Sequence, residues 1–297
     1  MELRVLRYFL AAAMEENITA AAARLHLTQP TLSKQLKDLE KELGTKLFIR
    51  GSRKITLTES GMFLRRRAQE IIDLADRTEN AIQNAATELS GDVFIGSGET
   101  YHMHYIARAV RKIHEESPNV KFHLYSANGT DIKERLDRGL LDFGLLIGHV
   151  NLSKYDYITL PARDVFGLLL RKSDPLARKK YITPADMRKV SLLCSRQETI
   201  QNELTGWLGF PFEELSVTGT YNLIYNASLL VEDGMGCALC LKNLVPENNS
   251  SPLCFRPFYP KLSAELNIAW KKYQIFSPAA QQLLHELQEE IKADREE

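Results

Sequence analysis

Between Glu59 and about Leu89 nothing in the sequence interrupts a helix, and Ser90-Gly91 then breaks it. A helix of about 30 residues spans about 45 Å, so it divides the chain into a short part before it and a long part after it. Leu64, Ala68, Ile71, Ala75, Thr78, Ile82, Ala85 and Leu89 recur in alternating steps of four and three, the spacing of a coiled-coil seam. Alanines in that seam let a second helix come close. Residues 59–90 are therefore expected to be a dimerisation helix, with Leu64, Ala68, Ile71, Ala75, Thr78 and Ile82 as its contact line. The competing expectation is a long helix packed on its own domain. Arg65, Arg66 and Arg67 read as a solvated face.

The chain has 297 residues, 44% of them hydrophobic, enough for two or three cores. Lys and Arg together number 38, as do Asp and Glu, so net charge points to no partner and charge has to be read locally. The stretch "RYFLAAAM" has a basic start and an apolar run, but the run is short for a signal peptide. Leu3, Leu6, Phe9, Leu10 and Ala13 instead follow the spacing of a helix with one buried face. No segment reaches the ~18 apolar residues of a membrane span. A soluble, cytoplasmic protein is expected.

Residues 1–58 carry ten Lys and Arg against six Asp and Glu, a local net charge of four positive. Three helices are expected here: about Leu3 to Glu15, a second beginning near Thr19 as N-cap and running through "AAAARL", and a third capped by Thr28 with Pro30 in its first turn. The short joint between the last two fits a helix-turn-helix. Leu32, Leu36, Leu39 and Leu43 form one stripe of the third helix, facing the core. Pro30, Lys34 and Lys37 lie opposite, with Thr31 and Ser33 on the flanks. Such a first turn suits a major groove: Gln29 and Lys34 are placed to read base edges, and Thr28, Ser33 and Lys37 to hold phosphates. "KLFIRGSRKITLTESG" then reads as two short strands around a basic tip, a wing whose Arg50, Arg53 and Lys54 add phosphate contacts. A solvated amphipathic face is the plainer alternative for the helix; the wing beside it favours DNA.

After Ser90-Gly91 strands and helices alternate. "DVFIGS", "VKFHLYS" and "LDFGLLIG" read as strands, with helices at about Met103 to Glu116 and Thr130 to Arg138 between them. A second set comprises "VFGLLLRK", "VSLLC", "LSVTGTY" and "GCALCL", with helices near Glu198 to Trp207 and Leu223 to Glu232. The strand "AELNIAW" and a helix from Pro278 close the chain. This order predicts parallel sheets in two α/β lobes with a cleft between them. One lobe is expected to comprise 91–161 and 268–297, the other 162–267.

The stretch "ITAAAARLHLTQPTLSKQLKDLEKELGTKLFIRGSRKITLTESG" closely resembles the DNA-binding region of LysR-type transcriptional regulators. "LLDFGLLIG", "KSDPLA" and "LLVEDGMGCAL" resemble the effector-binding half of the same family more loosely. The resemblance implies an N-terminal winged helix-turn-helix, a linker helix that dimerises, and a two-lobed effector domain with the fold of periplasmic solute-binding proteins. It implies a bacterial regulator that binds double-stranded DNA as a dimer or tetramer and responds to a small molecule. RNA polymerase is a further partner it admits, and no cofactor, metal or membrane is implied. Two departures stand out. Leu241 and Lys242 follow the "GMGCAL" strand where the family often has proline, and Ile147 stands where some relatives that bind aromatic acids have arginine.

Ligands of two-lobed α/β folds sit at the carboxyl ends of strands, where helix N-termini favour anions. Thr100 in "GSGETYH" and Thr130 in "NGTD" are expected at such helix starts, and both match effector-contacting hydroxyls of the family. Ser195, Arg196 and Asn222 are the candidates from the second lobe. Each is also open to the plainer role of an N-cap. The expected effector is small and anionic or polar, and Thr100 and Thr130 would hold it.

Two other functional classes are compatible with an α/β second half. An enzyme or transport-type binding protein would use the same lobes, but there is no glycine-rich phosphate loop, nucleophile elbow or metal-spaced His and Cys set. The histidines, His102 and His104 included, are scattered. A thiol-based redox regulator would use Cys194, Cys237, Cys240 and Cys254. Cys237 and Cys240, an odd number apart on one strand, would face opposite sides, so buried structural thiols are expected.

Overall fold

In the computed structural model, which describes residues 1–51, 54–83, 89–248 and 250–296, the chain divides into two units, Met1–Gln83 and Asn84–Glu297. The first unit opens with α1 (Leu3–Glu15), which buries Val5, Leu6, Phe9, Ala12 and Ala13 on one face. It stops where Glu16 turns left-handed, at φ 48°. Asn17, not Thr19, caps α2 (Ile18–Arg24): its side-chain oxygen accepts from the N–H groups of Thr19 at 2.9 Å and Ala20 at 3.0 Å. Asparagine is as good a cap as threonine, and Asn17 directly follows the left-handed Glu16. Thr28 caps α3 (Gln29–Glu42), with Pro30 in the first turn.

The wing is β1 (Phe48–Arg50) paired antiparallel with β2 (Ile55–Leu57). Next comes α4 (Glu59–Gln83), whose first turn is capped by the Thr58 hydroxyl, accepting from Gly61 N–H at 3.0 Å. A Cβ on Gly61 would stand 2.1 Å from the Leu47 carbonyl oxygen, so only glycine lets α4 lie this close to the wing. Leu64, Ala68 and Ile72 of α4 complete a core made by Leu6, Phe9, Ala21, Leu32, Leu36 and Phe48.

The long helix therefore begins as part of its own domain. Leu64 and Ala68, expected in the seam, are buried in the core of their own domain, where α4 packs on α1. Ile71 is 37% exposed and Thr78 is exposed, while Ala75 is half-buried. Phe63 and Leu74 add exposed apolar surface that the heptad count did not include. The side chain of Ile82, and residue Ala85, lie outside the described residues.

In the second unit, β3 (Gly91–Ser97), β4 (Val120–Ser126), β5 (Phe143–Ile147), β6 (Tyr155–Thr159) and β13 (Leu266–Lys271) make one sheet in the order β4-β3-β5-β13-β6. Helices α5 (His104–Glu116) and α10 (Pro278–Glu296) cover one face, and α6 (Gly129–Asp137) the other. Lobe II holds β7 (Asp164–Arg171), β8 (Ser191–Ser195), β9 (Ser216–Tyr221), β10 (Cys237–Leu241), β11 (Leu253–Pro257) and the short β12 (Ser263–Ala264). Its strand order is β11-β7-β10-β8-β9, with β12 beside β7. Helices α7 (Pro184–Met187) and α8 (Glu198–Leu208) lie on one face and α9 (Ile224–Glu232) on the other.

Both sheets are mixed rather than parallel. β13 runs antiparallel to β5 and β6, and β7 antiparallel to β10 and β11, because the chain crosses between lobes twice. It leaves lobe I after Thr159 and re-enters it at Leu266, slightly ahead of the boundary at 268 expected from sequence. β6, β11 and β12 are additional strands, all short and lacking a clean two-residue alternation.

Candidate functional site

The outward face of α3 and its cap present Thr28, Gln29, Pro30, Thr31, Lys34 and Lys37 at the surface, while Leu32, Leu36 and Leu39 beneath them are buried. Ser33 is half-buried on the flank. The Thr28 and Thr31 hydroxyls lie 2.8 Å apart, which orders the turn without using the Gln29 or Lys34 side chains. Leu43, expected in the buried stripe, is the C-cap and is 40% exposed. Its place in the interior is taken by Glu40, 5% exposed, whose Oε1 accepts from the N–H groups of Leu47 at 2.8 Å and Phe48 at 3.2 Å. Lys46 Nζ lies 3.5 Å from its other oxygen. Glu40 thus pins the end of α3 to the start of the wing. Nothing about its sequence neighbours marked it, because a glutamate beside lysines reads as surface.

Lys54 is exposed at the base of the wing, with Nζ 3.6 Å from Glu16. Arg50 belongs to β1, though its side chain is not among those described. Arg53 lies outside the described residues.

The second candidate surface is the cleft between the two lobes. An inner chamber of about 70 Å³ is walled by Leu145, Ile147, Phe166, Ile200, Leu239 and Leu241. Its polar lining comes from Glu99, Ser195, Gln197, Tyr221 and Asn222. An outer chamber of about 340 Å³ shares Gly98, Glu99, Ile224 and Leu244 with it and adds Thr100, Tyr125, Tyr225 and Ser228. The two meet at Glu99.

The five expected effector residues do not converge on one point. Ser195 ends β8, is buried, and accepts from Gln197 N–H at 3.2 Å. Asn222 lies on the rim, and the cap of α9 is Leu223 rather than Asn222. Thr100 is 6% exposed and lines only the outer chamber; its hydroxyl accepts from His102 N–H at 3.0 Å and bonds the carboxyl of buried Asp164. Thr130 is exposed and lines neither chamber, because Asn128 caps α6 and takes the Thr130 and Asp131 N–H groups at 3.0 Å each. Arg196 points along β9, donating to the Thr220 hydroxyl at 3.2 Å, and lines neither chamber.

Three side chains that the sequence did not single out link the lobes. Glu99, from lobe I, accepts the Ile224 N–H at the start of α9 in lobe II. Gln197, from lobe II, accepts the Gly129 N–H at the start of α6 in lobe I, at 3.0 Å. Glu203 on α8 accepts the His149 N–H at 3.0 Å. Each lobe thus supplies an oxygen that satisfies an open helix end or loop of the other.

Asp164 opens β7 where the chain enters lobe II, and it is 2% exposed with Oδ2 unpartnered. Burial holds its pKa above the ordinary carboxylate value, against the Thr100 hydrogen bond and His102, 3.5 Å away. All four cysteines are free and buried. Burial pushes Cys194 up to about 11 and Cys237 up to about 12, and raises Cys240 and Cys254 as well. Cys237 and Cys240 belong to core clusters on opposite faces of the sheet. Among the described residues no group of three or more His, Cys, Asp or Glu is placed to hold a metal. No helix among them is long and apolar enough to cross a membrane.

A basic winged helix-turn-helix followed by a two-lobed α/β unit with a lined cleft defines a ligand-responsive DNA-binding regulator. Residues 3–62 match the bacterial regulatory helix-turn-helix proteins of the LysR family, and residues 86–292 match the LysR substrate binding domain. The chain belongs to the LysR family of transcriptional regulators. It is 29% identical to the Hca operon transcriptional activator of Escherichia coli, over 98% of each chain. It shares 34% identity with the regulator BsdA of Bacillus subtilis, over 59% of each chain. Among solved structures, full-length CbnR complexed with its target DNA superposes with a TM-score of 0.75 at 21% identity, covering 98% of this chain and 100% of that one.

Proposed function

We propose that this LysR-type regulator reads its operator with Gln29 and Lys34 in the major groove. Thr28, Thr31, Ser33, Lys37 and the wing residues Arg50, Arg53 and Lys54 would hold the phosphates. The observation that carries this reading is the first turn of α3: its polar side chains stand out at the surface over a fully buried leucine stripe. We further infer a cytoplasmic regulator that associates with itself through an exposed helix face, with RNA polymerase as a further partner the family resemblance admits. Pairing is supported by the outward face of α4, where Phe63, Ile71 and Leu74 are exposed. Leu64 and Ala68 are buried within their own domain, which supports placing the pairing on that outward face instead.

The signal is a small molecule bound in the cleft, with Ser195, Asn222 and Glu99 nearest the inner chamber and Thr100 at the outer one. It shifts DNA binding by the difference in its affinity for the open and closed arrangements of the lobes. No catalytic role is proposed for any residue. A thiol switch is disfavoured, because the raised pKa values keep the buried thiols protonated and thus weakly nucleophilic. Footprinting on the DNA upstream of its own coding region tests the reading. Protection of a two-fold-related site is expected, and protection independent of sequence would overturn it.

A further inference from the structure

Two of the helix ends facing the cleft, those of α6 and α9, already receive an oxygen from the protein itself. At the start of α6, Asn128 Oδ1 takes two N–H groups and Gln197 Oε1 takes a third. At the start of α9, the Glu99 carboxylate takes the Ile224 N–H. A ligand carboxylate arriving at either end would have to displace an oxygen the protein supplies itself. No lysine, arginine or histidine is among the described residues that line either chamber. Ile147, an apolar side chain, forms part of the inner wall. Among the described residues that line the chambers the single acidic side chain is Glu99, on the wall the two share.

A desolvated anion in such a place would meet one negative charge and no positive side chain, an unfavourable arrangement at short range in a medium of low polarity. A cation would meet a carboxylate with a second oxygen to offer, since an ionised carboxyl accepts at two oxygens and Ile224 uses only one. The wall residues Leu145, Phe166, Ile200 and Leu239 would cover an apolar body.

Resting on the effector-cleft reading, we propose that this cleft is selective for a small organic cation: an ammonium or amidinium head paired with Glu99, on an apolar body held in the inner chamber. Glu99 is then the residue that sets ligand charge, and the cleft rejects carboxylates. This differs from the anionic ligand that open helix N-termini would suggest.

The test uses the full chain and two matched probe sets, 2-phenylethylamine, 2-phenylethanol and phenylacetate, and hexylamine, hexanol and hexanoate, each at millimolar concentration. Thermal shift and calorimetry are read for wild type, Glu99→Gln and Leu223→Trp. The amide of Glu99→Gln keeps an acceptor for Ile224 N–H, so that variant should fold as wild type does. At least one amine is expected to raise the melting temperature, with its alcohol weaker and its carboxylate silent. Glu99→Gln should weaken the amine about tenfold or more, the scale of a charge-assisted hydrogen bond, and leave the alcohol unchanged. Silence of both amines, a carboxylate that binds as tightly as its amine, or an amine unaffected by Glu99→Gln would each overturn the proposal. Leu223→Trp, which crowds the rim, separates the two levels. A carboxylate response lost in Leu223→Trp keeps the cleft and removes only the charge assignment, whereas a probe response indifferent to it places the ligand elsewhere.

Discussion

Removing the Glu40 carboxylate should loosen the wing from the reading helix while leaving the leucine stripe intact. Glu40 Oε1 accepts from two backbone N–H groups, Leu47 at 2.8 Å and Phe48 at 3.2 Å, and both bonds are shielded from water. In Glu40→Ala both donors lose their partner. A buried unsatisfied polar group costs about 1–3 kcal/mol, so the loss for two donors is about 2–6 kcal/mol, less whatever water recovers by entering the gap. Glu40→Gln keeps a carbonyl oxygen for both donors and should give back most of that loss. Hydrogen exchange read by mass spectrometry on peptides spanning 44–50 reports the effect directly, because Leu47 and Phe48 are the amides released. Faster exchange in Glu40→Ala, largely restored in Glu40→Gln, is expected. Unchanged exchange in Glu40→Ala would refute the role assigned to this side chain.

Gly61→Ala places a methyl 2.1 Å from the Leu47 carbonyl, so α4 must move off the wing, at a cost of about 1–3 kcal/mol visible in urea denaturation. On the proposed pairing through α4, Ile71→Glu should give a smaller particle than wild type in light scattering, with the winged domain still folded. Ala68→Glu should instead unfold that domain, since Ala68 is fully buried. Asp164, with its pKa raised by burial, binds its proton more tightly folded than unfolded. Its contribution to stability therefore falls as pH rises from the unfolded carboxylate value to the raised one. Asp164→Asn should remove that slope and raise the melting temperature at neutral pH, as followed by a pH series of thermal melts.

The helices of the winged domain were legible in the sequence because each has a strong local signal: apolar spacing in α1, a capping threonine and early proline in α3. The cap of α2 was displaced from Thr19 to Asn17 because the left-handed Glu16 stops α1, and a left-handed glutamate leaves no mark in a sequence. The seam of α4 was misjudged for a different reason. A heptad pattern records which side chains are apolar but not what they meet, and Leu64 and Ala68 meet their own domain. In the second unit the alternation of strands and helices was plain, but the antiparallel return of β13 depends on two crossings between lobes that no local pattern encodes. Thr100 and Ser195 were placed near the cleft because they follow strands directly. Glu99, Gln197 and Glu203 were not, because their partners are 125, 68 and 54 residues away in the chain.

That this chain reads DNA sequence through the first turn of α3 is tested most directly by fluorescence anisotropy on operator and scrambled duplexes across a salt series. Gln29→Ala is expected to lose about 1–3 kcal/mol on the operator while binding scrambled DNA as wild type does. Arg53→Ala should weaken both duplexes alike and lower the salt slope by about one. Equal losses on both duplexes for Gln29→Ala, or none on either, would contradict the assignment of α3 as the reading helix.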